Sequence, residues 1–283
     1  MYKRVLTIQD ISCVGQCSMT VALPILSACG QETCVLPSAV LSTHTGGFTG
    51  FTFRDLTEDI PGIWRHWKQE NIAFDYIYTG YLGSTLQIGY VRELFDAMKT
   101  PGCRTVVDPA MADNGKLYPG FDGEYAAAMT QLCAQADIMI PNITEACIMT
   151  GHPYQETYDE AYIDALLRKL CALGDGTVVL TGVGYRPDQT GVIICKAGER
   201  FYYTHEKIDK SYHGTGDIFA SAFVGAVASG VSLERAAGVA AEYTALCIRK
   251  TYDDASHWYG VKFETALGEL IGMLEEERKL LEK

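Results

Sequence analysis

His213-Gly214-Thr215-Gly216-Asp217 runs directly into Ile218-Phe219-Ala220-Ser221-Ala222-Phe223-Val224. Two glycines open an apolar, small-residue helix predicted over 216–229. The backbone N–H groups of its first turn can converge on one anion, and the helix dipole adds to the attraction. Asp217 falls in that first turn, beside any hydroxyl held next to the anion. An anion cradle with an adjacent carboxylate is what phosphoryl transfer to an alcohol needs. Gly214, Thr215 and Gly216 neutralise the charge in transit, and Asp217 accepts the hydroxyl proton. The plain alternative is a glycine-rich helix start with Asp217 as a favourable first-turn acid.

Upstream, 191–195 and 200–204 read as an antiparallel pair across the turn Lys196-Ala197-Gly198-Glu199. Before that pair, short β-branched runs alternate with helical stretches. Strands predicted at 5–9, 33–36, 76–79, 105–107, 138–140 and 178–181 have little polar interruption, which suits a parallel sheet covered on both faces. Helices are predicted at 18–28 (despite Pro24), 60–70, 84–98, 122–135 and 157–173, and after the glycine segment at 233–249 and 262–281. Ile63, Trp64 and Trp67 mark the apolar face of 60–70. A Ser/Thr/Gly-rich loop follows the second strand through Gly50. The fold class is α/β, a three-layer α/β/α sandwich with a mostly parallel central sheet. No Pro/Ser-rich linker, low-complexity stretch or repeat interrupts the chain, so one domain over 1–283 is expected.

Composition narrows the function. The 283 residues are 48% hydrophobic and 20% charged, an ordinary globular balance, and long enough to bury about three quarters of the unfolded chain's surface. Lys+Arg 23 against Asp+Glu 35 gives −12, a field that repels nucleic-acid phosphates and anionic lipid, so neither is expected as a partner. An anionic substrate would need local positive groups or a metal. Gln9 and Asp10 interrupt the N-terminal apolar run below signal-peptide length, and no run of about 18 apolar residues could span a bilayer. The ten cysteines are scattered through apolar segments, and Cys13 with Cys17 lacks the second pair of a zinc site. Free, mostly buried thiols in a reducing cytoplasm are expected. Cys13 itself reads as a buried inert thiol, or as one that approaches the substrate end of the sheet.

Ligands of open parallel sheets bind beyond the carboxyl ends of the strands. Those positions hold Asp10, then His44-Thr45-Gly46-Gly47, Gly80-Tyr81-Leu82-Gly83-Ser84, Asp108-Pro109, Asn142 with Glu145, and Thr181-Gly182. Polar or glycine-rich residues recur at every one of them.

With these pieces in order, the chain resembles the ribokinase-like superfamily and, within it, the pyridoxal/pyridoxamine (vitamin B6) kinase branch. Thr7-Ile8-Gln9 with Asp10 is similar to the first strand and its substrate-facing end. Leu41-Ser42-Thr43-His44-Thr45-Gly46 is similar to the loop that closes on the pyridine. Gly80-Tyr81-Leu82-Gly83-Ser84, Asp108-Pro109-Ala110-Met111-Ala112-Asp113 and Pro141-Asn142-Ile143-Thr144-Glu145 match further family segments. Gly214-Thr215-Gly216-Asp217 is the superfamily's kinase signature. Two departures stand out. Asp10 replaces a Ser common in B6 kinases, and Ala112 replaces a Gly.

The resemblance implies ATP-dependent phosphorylation of the 5′-hydroxymethyl group of a B6 vitamer, with ATP and Mg2+ as cofactors, a monovalent cation left open, and a homodimer. Thr45 and Tyr81 are expected to hold the pyridine with Gly46. Asp10 could accept from the pyridine hydroxyl, pair with a substrate amine, or cap the following turn. His44 could contact the substrate or bond to backbone. Asp108 and Glu145 are the expected magnesium carboxylates, partly through water, although each could be a turn or first-turn acid. Asn142, Asp113, Thr181 and Thr215 are expected on the ATP side, where Lys116 could meet a phosphate or stay an exposed loop lysine. Thr181-Gly182-Val183-Gly184 is not a dinucleotide fingerprint. The Trp64/Trp67 and Tyr76/Tyr78 clusters read as core or subunit contact, and the Glu275–Lys279 run as a solvated helix face. Rival readings are a hydroxymethylpyrimidine kinase, a sugar kinase (disfavoured without a polar lid insertion) and a catalytically silent binding relative.

Overall fold

The computed structural model describes residues 2–281; Met1, Glu282 and Lys283 of the 1–283 reading lie outside the described residues. Along the strands, side chains alternate between two separate apolar clusters, and this alternation sets the layers. Val5, Tyr76, Tyr78, Val106 and Ile138 face one cluster, while Leu6, Ile8, Ile77, Val107 and Met139 face the other. A strand buried on both faces has no polar period, which is why these runs are so uniformly apolar.

The elements in chain order are β1 (Arg4–Ser12), α1 (Met19–Ala28), β2 (Glu32–Leu41), β3 (Phe53–Asp55), α2 (Ile60–Gln69), β4 (Tyr76–Thr79), α3 (Thr85–Met98) and β5 (Arg104–Val107). Then come β6 (Ala112–Asp113), β7 (Lys116–Leu117), α4 (Gly123–Gln135), β8 (Ile138–Met139), α5 (Ile143–Thr150), α6 (Glu160–Cys171) and β9 (Thr177–Thr181). The chain closes with β10 (Gln189–Lys196), β11 (Glu199–Glu206), α7 (Thr215–Ala228), α8 (Leu233–Thr251) and α9 (Leu267–Leu281). A nine-stranded sheet has the order β11-β10-β9-β8-β5-β4-β1-β2-β3, with β6 and β7 forming a separate hairpin. The six central strands from β9 to β2 are parallel, and antiparallel strands close both edges. Helices α1, α7, α8 and α9 cover one face, and α2 to α6 the other. The expected three-layer α/β/α sandwich is what forms.

Local chemistry explains the boundaries. Ser84, Asp122 and Asp159 each cap a helix by accepting a backbone N–H from three residues on. The β10–β11 turn places Ala197 and Gly198 at φ 49° and 86°, a two-residue turn whose twist matches the strands. The second strand is longer than the predicted 33–36. Its pairing with β1 shifts register between Gln9 and Ile11, so Pro37 lies at an irregularity where its missing N–H is tolerated. Trp64, Tyr76 and Tyr78 are core, as expected, and Trp67 packs against it. Cys13, expected to be buried, is exposed: its N–H bonds to the Leu41 carbonyl and its side chain leaves the sheet. The other cysteines are free and buried or half-buried. Among the described residues, no helix is long and apolar enough to cross a membrane.

Candidate active site

Asp217 is the third residue of α7, and its position is set by a contact across the sequence. Gly214 caps α7 at φ 79°, and a Cβ there would lie 1.8 Å from the Gln16 carbonyl. Only glycine lets the 13–17 loop press against the start of α7. That loop ends at Ser18, itself held at φ 54°, whose N–H donates to Asp217 Oδ2 over 3.0 Å. The carboxylate is therefore fixed between the starts of α1 and α7. Burial pushes its pKa up to about 7, the Ser18 N–H opposing the rise and the charge of Asp10 adding to it. A carboxylate at that value is a competent base near neutrality. The first-turn N–H groups at 215–217 have no partners within the helix and open beside it.

On one side of Asp217 stand Asp10 and a set of stacked aromatic rings. Asp10, next to the register shift in β1, is buried; Ser12 Oγ donates to its Oδ2 over 3.0 Å. Desolvation raises its pKa against the hydroxyls of Ser18 and Ser12. Its charge also acts on His44, Tyr81 and Asp217, which all lie within its electrostatic reach. Tyr81 stacks on Phe121 at 5.5 Å, and Phe121 on Tyr125 at 3.7 Å. The Tyr125 hydroxyl, bonded to the Leu82 carbonyl over 2.6 Å, anchors this aromatic wall. Both ring nitrogens of His44 meet backbone groups. Its Nε2 pairs with the Tyr259 carbonyl at 2.6 Å, and its Nδ1 accepts the Gly46 N–H at 3.0 Å. The ring ties the 44–48 loop to the 257–259 segment, where Phe48 packs on Trp258 at 4.7 Å. Thr45 is exposed and Gly46 sits against the His213 ring.

The other side of Asp217 is acidic. Asp108 follows β5; its Oδ1 accepts the Ala110 N–H over 3.2 Å. Burial holds its pKa well above the carboxylate range, and the charges of Glu145 and Asp217 add to the rise. Glu145 is buried and both its oxygens are used. Oε2 accepts the Asn142 N–H at 2.9 Å, and Oε1 accepts the Met111 N–H at 2.9 Å and the Ala112 N–H at 3.4 Å. Burial nevertheless lifts its pKa to about 7. Asn142 completes a capping box, its Oδ1 accepting the Glu145 N–H, and its Nδ2 donates to the Ala112 carbonyl over 2.8 Å. Asn142 and Glu145 thus brace the 108–112 segment. Thr181 meets the same turn, donating its N–H to the Pro141 carbonyl over 2.9 Å. Asp113 and Lys116 face each other across the β6–β7 hairpin, both exposed. The hairpin tip docks through the Gly115 N–H on Thr144 Oγ1 over 3.0 Å. Thr215 Oγ1 donates to the Tyr212 carbonyl over 3.2 Å.

Sequence reasoning expected Asp10, Tyr81, Asp108 and Asp217 around one site; in the fold the charge of Asp10 acts on Tyr81 and Asp217, and that of Asp217 on Asp108. It missed Ser12 and Ser18, the Phe121/Tyr125 stack and the Phe48/Trp258 contact, none of which has a signal beyond proximity in the fold. None of the ion pairs found among the described residues involves Asp10, Asp108, Glu145 or Asp217. Among those residues, no group of three or more His, Cys, Asp or Glu side chains is arranged as a protein-only metal cage. The acidic pair fits the other kind of site, in which magnesium takes few carboxylates and completes its shell with water and phosphate.

A glycine-capped helix start carrying a buried carboxylate, set beside a mostly parallel sheet covered on both faces, is the arrangement of a kinase of the ribokinase-like class. Residues 66–261 match the model of the phosphomethylpyrimidine kinase family, and the chain belongs to that family of kinases. It is 27% identical over 256 residues to the pyridoxine/pyridoxal/pyridoxamine kinase of Bordetella avium, covering 84% of this chain and 82% of that one. The Lactobacillus plantarum pyridoxal kinase structure is 32% identical with a TM-score of 0.89, covering 97% and 98%. A Bacteroides thetaiotaomicron structure solved with pyridoxal is 36% identical with a TM-score of 0.89, covering 95% of each chain.

Proposed function

We propose that this kinase transfers the γ-phosphoryl group of ATP to the 5′-hydroxymethyl group of a vitamin B6 vitamer, in the salvage of pyridoxal 5′-phosphate. The observation that supports the reading is Asp217, whose carboxyl feels the charge of Asp10 on one side and acts on Asp108, beside Glu145, on the other, with the Tyr81–Phe121 stack next to Asp10. The alcohol lies on the first side and the phosphates on the second. Tyr81 backs the pyridine ring, Thr45 and Gly46 close over it, and His44 keeps that loop in register. Asp217 accepts the hydroxyl proton as the oxygen attacks. The N–H groups at Gly214, Thr215 and Gly216 hold the charge on the transferring group. Asn142, Thr181 and Asp113 border the nucleotide.

Asp108 directly, and Glu145 through water, are the residues that would hold magnesium, whose chemistry there is to neutralise the phosphate oxygens. The patch contains no basic partner, so ATP should bind far more weakly without the metal. Titration of ATP with Mg2+ and with a chelator is expected to differ by at least an order of magnitude in Kd. Equal affinities would place the compensating charge elsewhere. The same reading takes the enzyme as one catalytic unit, a cytoplasmic homodimer, with any monovalent-cation requirement additional. The second reading, a hydroxymethylpyrimidine kinase, is favoured by the family match, since that substrate is also a flat heteroaromatic alcohol.

Asp10 is the residue to rank the vitamers. It is a buried carboxylate that makes no ion pair among the described residues, and a substrate amine would supply a counter-charge. Replacing it by Ser should lower kcat/KM for pyridoxamine about tenfold relative to pyridoxal, the loss of one charge-assisted hydrogen bond. Unchanged relative efficiencies would remove Asp10 from specificity. The function itself is tested by product analysis: ATP, Mg2+ and pyridoxal should yield the 5′-phosphate ester and ADP in equal amounts. ATP turnover without that ester would refute it.

A further inference from the structure

We propose that Cys171 and Cys195 form a dithiol site that a low-molecular-weight disulfide oxidises to an intramolecular disulfide joining α6 to β10. The two Sγ atoms are 2.9 Å apart, both thiols are free, and they stand on a helix and a strand that pack into one apolar cluster. Closing a disulfide from that separation shortens the sulfur–sulfur distance by roughly 1 Å. The surroundings assign the roles. Cys195 is buried on β10, while Cys171 is half-buried at the end of α6 and so meets the oxidant first. Burial and the neighbouring sulfur push the Cys171 thiol up to about 12, and the Arg200 guanidinium opposes that rise. The scarce thiolate makes the first exchange slow, and the nearness of Cys195 makes the second immediate.

The chemistry balances. The Cys171 thiolate attacks one sulfur of glutathione disulfide, forming a mixed disulfide and expelling one glutathione thiolate. Cys195, losing its proton to that thiolate, attacks the Cys171 sulfur and expels the second glutathione. The protein loses two protons and two electrons, and one glutathione disulfide takes them up to become two glutathiones. Cys195 pairs with Val178 near the start of β9, whereas the kinase residues lie beyond its end at Thr181. The bond therefore closes at the opposite end of the sheet from Asp217. It should stiffen the protein without stopping turnover.

The test follows from the sequence. Arg186 precedes Pro187, so trypsin leaves 170–196 as one peptide holding both cysteines. The intact protein is incubated with glutathione disulfide, alkylated under denaturing conditions, digested and weighed. The proposal expects this peptide to carry neither alkyl group nor glutathione and to weigh two hydrogens less than its dithiol form, dithiothreitol restoring both thiols. The oxidised protein should melt several degrees higher, with kcat within twofold of the reduced form, and Cys195→Ser should abolish the gain. A peptide that stays doubly alkylated, or that carries glutathione on both cysteines, would overturn it.

Discussion

Asp217→Asn should keep the fold and lose kcat by on the order of 10²- to 10⁴-fold, the usual contribution of a positioned general base. The amide oxygen of Asn can still accept the Ser18 N–H, so the orientation of the side chain survives and only its basicity goes. The KM values for ATP and for the alcohol should change little, because the proton is in flight only in the transition state. The pH profile carries the same signature. With the Asp217 carboxyl raised to about 7 by burial, kcat/KM of the native enzyme should fall tenfold per unit below that value, as the base becomes protonated. Stability runs the other way. A carboxyl whose folded pKa lies above its unfolded value of 3.8 opposes folding once ionised, so stability declines as pH rises from about 4 through about 7. The Asn variant escapes that penalty and should melt no lower than the native protein at pH 8. Near-normal turnover, or an acid limb unchanged in the residual activity, would remove Asp217 from the chemistry.

Gly214→Ala is the second severe change, and it acts through shape. The residue sits at φ 79°, which costs an alanine roughly 1–2 kcal/mol. The larger effect is the 1.8 Å approach of the new Cβ to the Gln16 carbonyl, a backbone atom that can retreat only if the 13–17 loop moves. That loop leads into Ser18, which holds Asp217, so one methyl group displaces the anion cradle and the base together. A shift of about 1 Å in a catalytic constellation costs on the order of 10²-fold. Gly214→Ala is therefore expected to lower kcat/KM at least that much, with a Tm loss of several degrees. Gly216→Ala is the control, since nothing lies within 4 Å of its Cβ position and its φ is not positive. Equal activity in the two variants would show that close packing at 214 is unimportant.

Most of the fold was legible because its strands are buried on both faces. Residues 76–79 form β4 as predicted, since Tyr76 to Thr79 contains no polar break to mislead. Residues 37–41 were not assigned to β2 because Pro37-Ser38 reads as an interruption, and only the register shift against β1 accommodates it. The exposed β3 has no buried face to give it a pattern. In the candidate site, Asp10, Asp108 and Asp217 could be expected near one another because topology alone puts the ends of parallel strands and the start of α7 together. Their partners could not. Ser18 bonds Asp217 across 199 residues, and His44 reaches Tyr259 across 215. Glu145 was visible as an acid beyond a strand. That both its oxygens are taken by backbone N–H groups depends on how the 108–112 segment folds back on α5.

ADP release measured side by side with pyridoxal, pyridoxamine, pyridoxine and hydroxymethylpyrimidine tests the central claim most directly. The site described above predicts magnesium-dependent ADP formation with the B6 vitamers at kcat/KM values well above that for hydroxymethylpyrimidine, and its loss in Asp217→Asn. ADP release with hydroxymethylpyrimidine alone, or with none of the four, would contradict it.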